Sequence, residues 1–451
     1  MEGEPWRRFR HERLVLLLIL LTTFSVQTVP GVDDASHLTL SVSVLTRGTL
    51  DIDPYTAGAA SDVSYRAGHW YSDKPPGLSF YALPATATVL AVDRAAGERD
   101  DRVWSGHWQS WLMRLLINGP LLALVCFVVG RVGEGLVPGC GPIVAVAAGL
   151  GTLLGPVSTV MYQHVGAALL AFGSLSLVWR RRYGLGGLLA GAAVAFEYEA
   201  AIAVALVGAY VLLKGARPAV TFVLGALPAV AVLAVYDTLA FGSPLHLSSR
   251  YQAGIFAPYQ HLGFFGFTLP SVSDFHAVLT GGNGFHVSRG IVVTSPVLIA
   301  AAAGLVLWWR RGARREALLC ALVSAGFLIF DAGYWDPYGG SSPGPRFLVP
   351  AIPFLILGLP QVYSRFPRLT RVVVAVSIAK TTENLLTWQK DNGKHFLADT
   401  VWAHAGLGLH GGVATVAVLA GITAVVVLAP RPRRSRLPEP PASRDAAPRI
   451  A

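Results

Sequence analysis

Apolar runs long enough to cross a bilayer recur along most of the chain, and short clusters of arginine close many of them. Inside hydrocarbon every backbone N–H and C=O must be paired within the protein, so such runs fold as helices. The composition agrees: 53% of residues are hydrophobic and 14% charged, against about one quarter charged in a soluble domain. The first run, LVLLLILLTTFSV, follows the basic segment MEGEPWRRFRHER. No small-x-small cleavage site is convincing, so this run reads as an uncleaved first helix with its N-terminus in the cytoplasm.

The arginine clusters near 131, 180–182, 214–217, 310–315, 365–371 and 431–436 then all fall on the cytoplasmic side, as the positive-inside rule requires. The reading is an all-α polytopic membrane protein of about twelve transmembrane helices. Residues 1–13 form a cytoplasmic N-terminus and 14–430 the membrane domain. Residues 431–451 form a Pro- and Arg-rich cytoplasmic tail, read as disordered. Spans are expected near 14–30, 112–130, 139–157, 163–179, 185–197, 199–213, 219–238, 289–309, 316–332, 347–363, 371–386 and 409–429. The formal charge of +10 is spent at helix ends rather than in a basic stripe, which argues against a nucleic-acid partner. Cys126, Cys140 and Cys320 show no paired spacing and read as buried small hydrophobes.

The longer polar loops, 31–78, 239–287 and 333–346, all fall on the other, extracytoplasmic side. Within the first, Leu38, Val42 and Leu45 recur at helical spacing, the stripe of a short helix lying in the interface. The stretch 79–93 is expected as a second interfacial or half-inserted helix.

Three constellations in these loops carry chemistry. Asp33-Asp34 follows the first span, where a carboxylate could act as a general base toward a hydroxyl. Asp34-Ala-Ser-His also suits the capping of a helix N-terminus. In Asp73-Lys74-Pro75-Pro76-Gly77 an acid–base pair is held by two prolines; Lys74 suits a phosphate, and Asp73 a divalent metal or the lysine itself. Arg346, after Gly344-Pro345, stands at the outer mouth of a span, where the charge bias makes an arginine unexpected. Asp33, His37, Asp62, His164, Glu197, Arg250 and Tyr338 are expected around the same cavity. No phosphate-binding Gly-rich loop, nucleophile elbow or zinc-protease motif is present.

The Asp34-Ala-Ser-His stretch, the step Gly-Thr-Leu-Asp-Ile-Asp at 48–53, the box Tyr-Ser-Asp-Lys-Pro-Pro-Gly at 71–77 and the late Gly-Gly-x-x-x-Gly-Pro-Arg at 339–346 resemble the GT-C superfamily of integral membrane glycosyltransferases. The resemblance points to its protein-mannosyltransferase and aminoarabinose-transferase (ArnT-like) branch, with weaker echoes at 162–164 and at Phe241-Gly242-Ser243-Pro244. It implies transfer of a sugar from a polyprenyl-phosphate donor at the extracytoplasmic face of the plasma (inner) membrane. The acceptor it implies is a glycolipid, a polysaccharide or a protein. In that pattern Asp34 is the catalytic acid of the first loop, Lys74 and Arg346 meet donor phosphate, and Asp73 stands where a glutamate can hold a metal. His37 stands where the family commonly has arginine, and no large soluble C-terminal domain is expected. The rival class is a transporter or lipid flippase, but no pair of inverted halves is visible.

Overall fold

The computed structural model describes residues 6–24, 31–283, 287–340 and 342–387. It is a helical bundle of multi-pass membrane type. Among the described residues four helices are long and apolar enough to cross a bilayer: Trp108–Leu136, Ala216–Phe241, Arg314–Gly333 and the irregular Arg346–Arg365. Five further apolar helices, Gly141–Leu150, His164–Trp179, Tyr183–Phe196, Tyr198–Leu212 and Val297–Arg310, are shorter. The expected span at 409–429 and the tail lie outside the described residues, and the tally of twelve is not reached within them.

Breaks occur where the sequence removes backbone donors. The run expected over 139–157 splits into Gly141–Leu150 and Leu154–Ser158, with Gly151 ending the first and Pro156 inside the second. Arg346–Arg365 alternates between 3-10 and α turns because Pro350, Pro353 and Pro360 each lack an N–H. Between Phe196 and Ala201 a 3-10 turn carries Glu197, Tyr198 and Glu199.

Small residues set the closest helix packing. Gly187 of helix Tyr183–Phe196 lies directly against the Phe222 carbonyl of helix Ala216–Phe241, and Gly225 returns the contact on Gly184. Lipid gives helices no hydrophobic reason to associate, so close approach and dispersion hold this pair together. A Gly187→Val variant is expected to lose about 1–3 kcal/mol or more through overpacking, read as a lower melting temperature in detergent.

Segment 31–78 is not a loop draped on the surface. Its helix Val32–Arg47 is buried from Asp34 through Ser43, so the expected helix lying in the interface is instead packed on all sides. Its small polar side chains make this possible: Ser41 Oγ donates to the Ser79 carbonyl at 2.7 Å, and Ser36 Oγ to the Asp62 carbonyl at 2.8 Å. Helix Gly77–Ala95, which contains the stretch expected at 79–93, packs against it. A hairpin intervenes, Val63–Arg66 paired antiparallel with His69–Ser72, and a second pairs Gly281–Asn283 with Val287–Arg289. The all-α expectation had no place for them. The first closes on Ala67-Gly68, both with positive φ (51° and 90°), the two-residue turn whose twist matches paired strands.

Candidate active site

One cavity of about 860 Å³ opens where helix ends and loops converge. Asp33, Asp62, Asp73 and Lys74 come from segment 31–78. Tyr162, Gln163, Tyr198 and Glu199 come from helix junctions, Gln252 from the 239–287 loop, and Tyr334, Trp335 and Arg346 from the late loop. Much of the lining is aromatic: Phe256, Phe264, Phe265, Phe267, Phe330 and Phe347 join Tyr334 and Trp335. Backbone pairing pins the two loops together, with Trp335 N–H donating to the Gly266 carbonyl at 3.0 Å and Thr268 N–H to that of Gly333 at 2.8 Å. The cavity is thus amphipathic, with a charged cluster and aromatic side chains in one lining.

Lys74 is the centre of the charged cluster. Its Nζ lies 3.3 Å from Asp33 Oδ1, 3.1 Å from Asp62 Oδ2 and 3.4 Å from Asp73 Oδ2. Arg346, more than 270 residues away in sequence, reaches Asp33 Oδ2 at 3.1 Å and lies over the Tyr162 ring, 4.1 Å from its centroid. Asp73 also accepts from Gln252 Nε2 at 3.1 Å and Ser36 Oγ at 3.3 Å. Burial alone would push the Lys74 ammonium down, but the three carboxylates outweigh it and hold it well above its ordinary value. Burial would likewise raise Asp33, yet Arg346 and Lys74 overcome it and hold that carboxyl well below the usual range. Asp62 behaves oppositely: burial, with Asp33 and Asp73 beside it, pushes it up to about 7 against the pull of Lys74. Burial foremost also raises Asp73.

The structure separates the two adjacent acids. Asp34 is fully buried and turned away from the cavity. Arg114 Nε and a terminal guanidinium nitrogen each donate to it at 2.9 Å, Met161 N–H at 2.9 Å and Gly31 N–H at 2.8 Å. Four donors on two oxygens leave no lone pair for a substrate proton. The capping reading of this stretch therefore describes Asp34, and the residue that faces the cavity is Asp33. Arg114 itself, an ionisable residue inside an apolar span, was the signal in the sequence that this carboxylate had a partner.

Other expected cavity residues divide. Asp62, Asp73, Lys74 and Arg346 line it. His37 stands behind it, bridging Ser79 Oγ (3.3 Å) and Gln163 Oε1 (3.1 Å), and burial pushes its imidazole down to about 4. His164 and Glu197 form a buried layer behind the wall. His164 Nδ1 is 2.9 Å from Glu197 Oε2, but the pair is not aligned as a hydrogen bond. Arg250 is exposed and outside the cavity, while its neighbours Ser249 and Gln252 line it. Tyr338 is buried and donates to the Ala277 carbonyl at 2.8 Å, away from the lining. Glu199 drew notice in the sequence together with Glu197, and Tyr162 and Gln163 fall in the weaker echo at 162–164; Gln252 was not singled out. Only the turn of the chain shows which of these neighbours faces inward.

For a metal, the three carboxylates around Lys74 are the donor set that the Asp73 expectation required, and an ammonium stands among them. A separate group, Asp51, Asp53 and His69, has ligand atoms within 4.8 Å of one another. It lies outside the cavity and is internally paired, Asp51 with Arg47 at 2.7 Å and Asp53 with His69 at 2.8 Å.

No family model matches the chain, and no curated protein matches it. Solved structures of similar fold include two of one protein. ArnT from Cupriavidus metallidurans bound to undecaprenyl phosphate aligns with a TM-score of 0.50 at 14% identity, covering 92% of this chain and 76% of that one. The same ArnT in the apo state aligns at 0.49 and 13% identity, covering 92% and 75%. The likeness to the first lies in the fold and spans nearly the whole chain: this protein shares the fold of that ArnT.

Proposed function

We propose that this protein transfers a sugar from a polyprenyl-phosphate donor to an acceptor hydroxyl at the extracytoplasmic face of the plasma (inner) membrane. The observation that carries the reading is the convergence of Lys74 and Arg346 on one carboxylate in a cavity that aromatic side chains also line. Two cations suit a phosphate, and an apolar wall suits the isoprenoid attached to it. The ArnT that shares the fold was solved with undecaprenyl phosphate bound, which agrees with this ligand class.

In this reading Lys74 and Arg346 hold the phosphate, and Asp33 takes the general-base role that the motif alone would give Asp34. The acceptor oxygen attacks the anomeric carbon as its proton passes to Asp33. The bond from that carbon to the phosphate oxygen breaks, and the lipid phosphate leaves with the electron pair. A single displacement of this kind inverts the anomeric centre. The carboxylates that a divalent metal would need, Asp62 and Asp73, are held by the Lys74 ammonium, so no step is assigned to a metal. The acceptor belongs to the cell envelope as a glycolipid, polysaccharide or protein.

Purified protein in nanodiscs, supplied with membrane extract as acceptor and a panel of radiolabelled polyprenyl-phosphate sugars, tests this. Consumption of one donor by the wild type, with label passing to the extract, is expected. Folded protein that consumes none of the panel but moves labelled lipid across proteoliposomes would replace the transferase reading with a flippase.

A further inference from the structure

The two cations proposed to hold donor phosphate are not idle at rest. Asp33 bridges them, one oxygen toward Lys74 and the other toward Arg346. This is the bridging contact that two non-ester oxygens of a phosphodiester would make. The grip is uneven. Arg346 donates to Asp33 Oδ2 at 3.1 Å, but among the described residues Asp33 Oδ1, within ion-pair distance of Lys74 Nζ, makes no hydrogen bond, and the buried Arg346 Nε has no hydrogen-bond partner. Lys74 would keep Asp62 and Asp73 if Asp33 left, and the stacking on Tyr162 would keep Arg346 in place. Both cations are therefore fixed independently of Asp33, and a guanidinium N–H remains to be satisfied.

We infer that Asp33 is an internal surrogate for the donor phosphate: it occupies the anion site in the empty enzyme, and the incoming phosphate displaces it from Lys74 and Arg346. The inference rests on the transferase reading and deepens it. While Asp33 is held by two cations its carboxylate is a weak base, since both charges favour its ionised form. Displacement removes both attractive charges and sets a phosphate anion beside it, and each change raises its proton affinity. The base then acquires its strength only once a donor is bound, and donor binding is linked to proton uptake.

The consequence separates Asp33 from an ordinary binding residue. Removing its charge takes away a competitor, so Asp33→Asn should bind phosphate more tightly while losing transfer. The test is titration of farnesyl phosphate into the full-length protein in nanodiscs, with farnesol as the control for the lipid part and inorganic phosphate for the head group. Asp33→Asn is expected to bind farnesyl phosphate about tenfold more tightly than wild type, with farnesol unchanged and Arg346→Ala weakened. Asp33→Ser is carried beside it, so that a folding defect in one variant does not decide the result. Wild-type binding that Asp33→Asn and Asp33→Ser leave equal or weaker overturns the inference while the transferase reading stands. Absence of farnesyl phosphate binding by the wild type, or binding indifferent to Arg346→Ala, overturns both.

Discussion

Lys74→Met is expected to abolish sugar transfer, by at least about 10²–10³-fold, the scale on which removal of one charge-stabilising donor acts. The reason lies in how many groups this ammonium serves. It touches three carboxylates at 3.1 to 3.4 Å while only 13% of its side chain is exposed. Without it, Asp33 keeps Arg346, but Asp62 and Asp73 face each other with no cation between them. Like charges at this range in a poorly solvated site cannot both stay ionised, so protons must enter in place of the ammonium. The phosphate then loses one of its two cations and meets residual negative charge where the other stood. Lys74→Arg restores the charge, but a planar fork does not fit among three carboxylates as a compact ammonium does, so only partial recovery is expected. Donor consumption by folded protein is the measurement, and wild-type turnover by Lys74→Met would remove Lys74 from the site.

Arg114→Ala is the change expected to cost most in stability, about 3–5 kcal/mol, because it leaves Asp34 charged and buried without its partner. Both members of the pair are about 2% exposed or less, and the pair ties helix Val32–Arg47 to a span 80 positions along the chain. Asp34→Asn should show the milder form of the same defect, since an amide can accept from some of the four donors but cannot match the guanidinium. Denaturation in detergent gives the stability. Transfer normalised to the folded fraction decides the role: near-normal activity per folded molecule is expected for Asp34→Asn, and a loss of a hundredfold would return the chemistry to Asp34.

The contrast between these two acids shows where sequence reading stopped. Asp33 and Asp34 are neighbours in a polar stretch after an apolar run, and nothing in their order ranks one above the other. Successive residues on a helix point about 100° apart, so the order of two adjacent acids does not say which of them meets a given partner. Lys74 and Arg346 were legible because each broke a local expectation: an acid–base pair among prolines, and an arginine at the wrong end of a span. Gln252 broke none, since polar residues in loops are common, and the Val63–Arg66 hairpin was hidden in a stretch read as a polar loop. The irregular Arg346–Arg365 segment was expected as one helix over 347–363, and its prolines, Pro350, Pro353 and Pro360, break it into short turns.

The sequence by itself determined that this chain is a helical, multi-pass membrane protein, because long apolar runs leave the backbone no partner but itself and place arginine at the helix ends. It also marked the segments from which the charged site would be drawn. Only the tertiary structure decided that Asp34 is locked onto Arg114, that Asp33 faces Lys74 and Arg346, and that an aromatic wall completes the cavity. Those contacts join residues 40 to more than 300 positions apart, and charge pairing over such separations is fixed by how the helices pack, not by any local pattern.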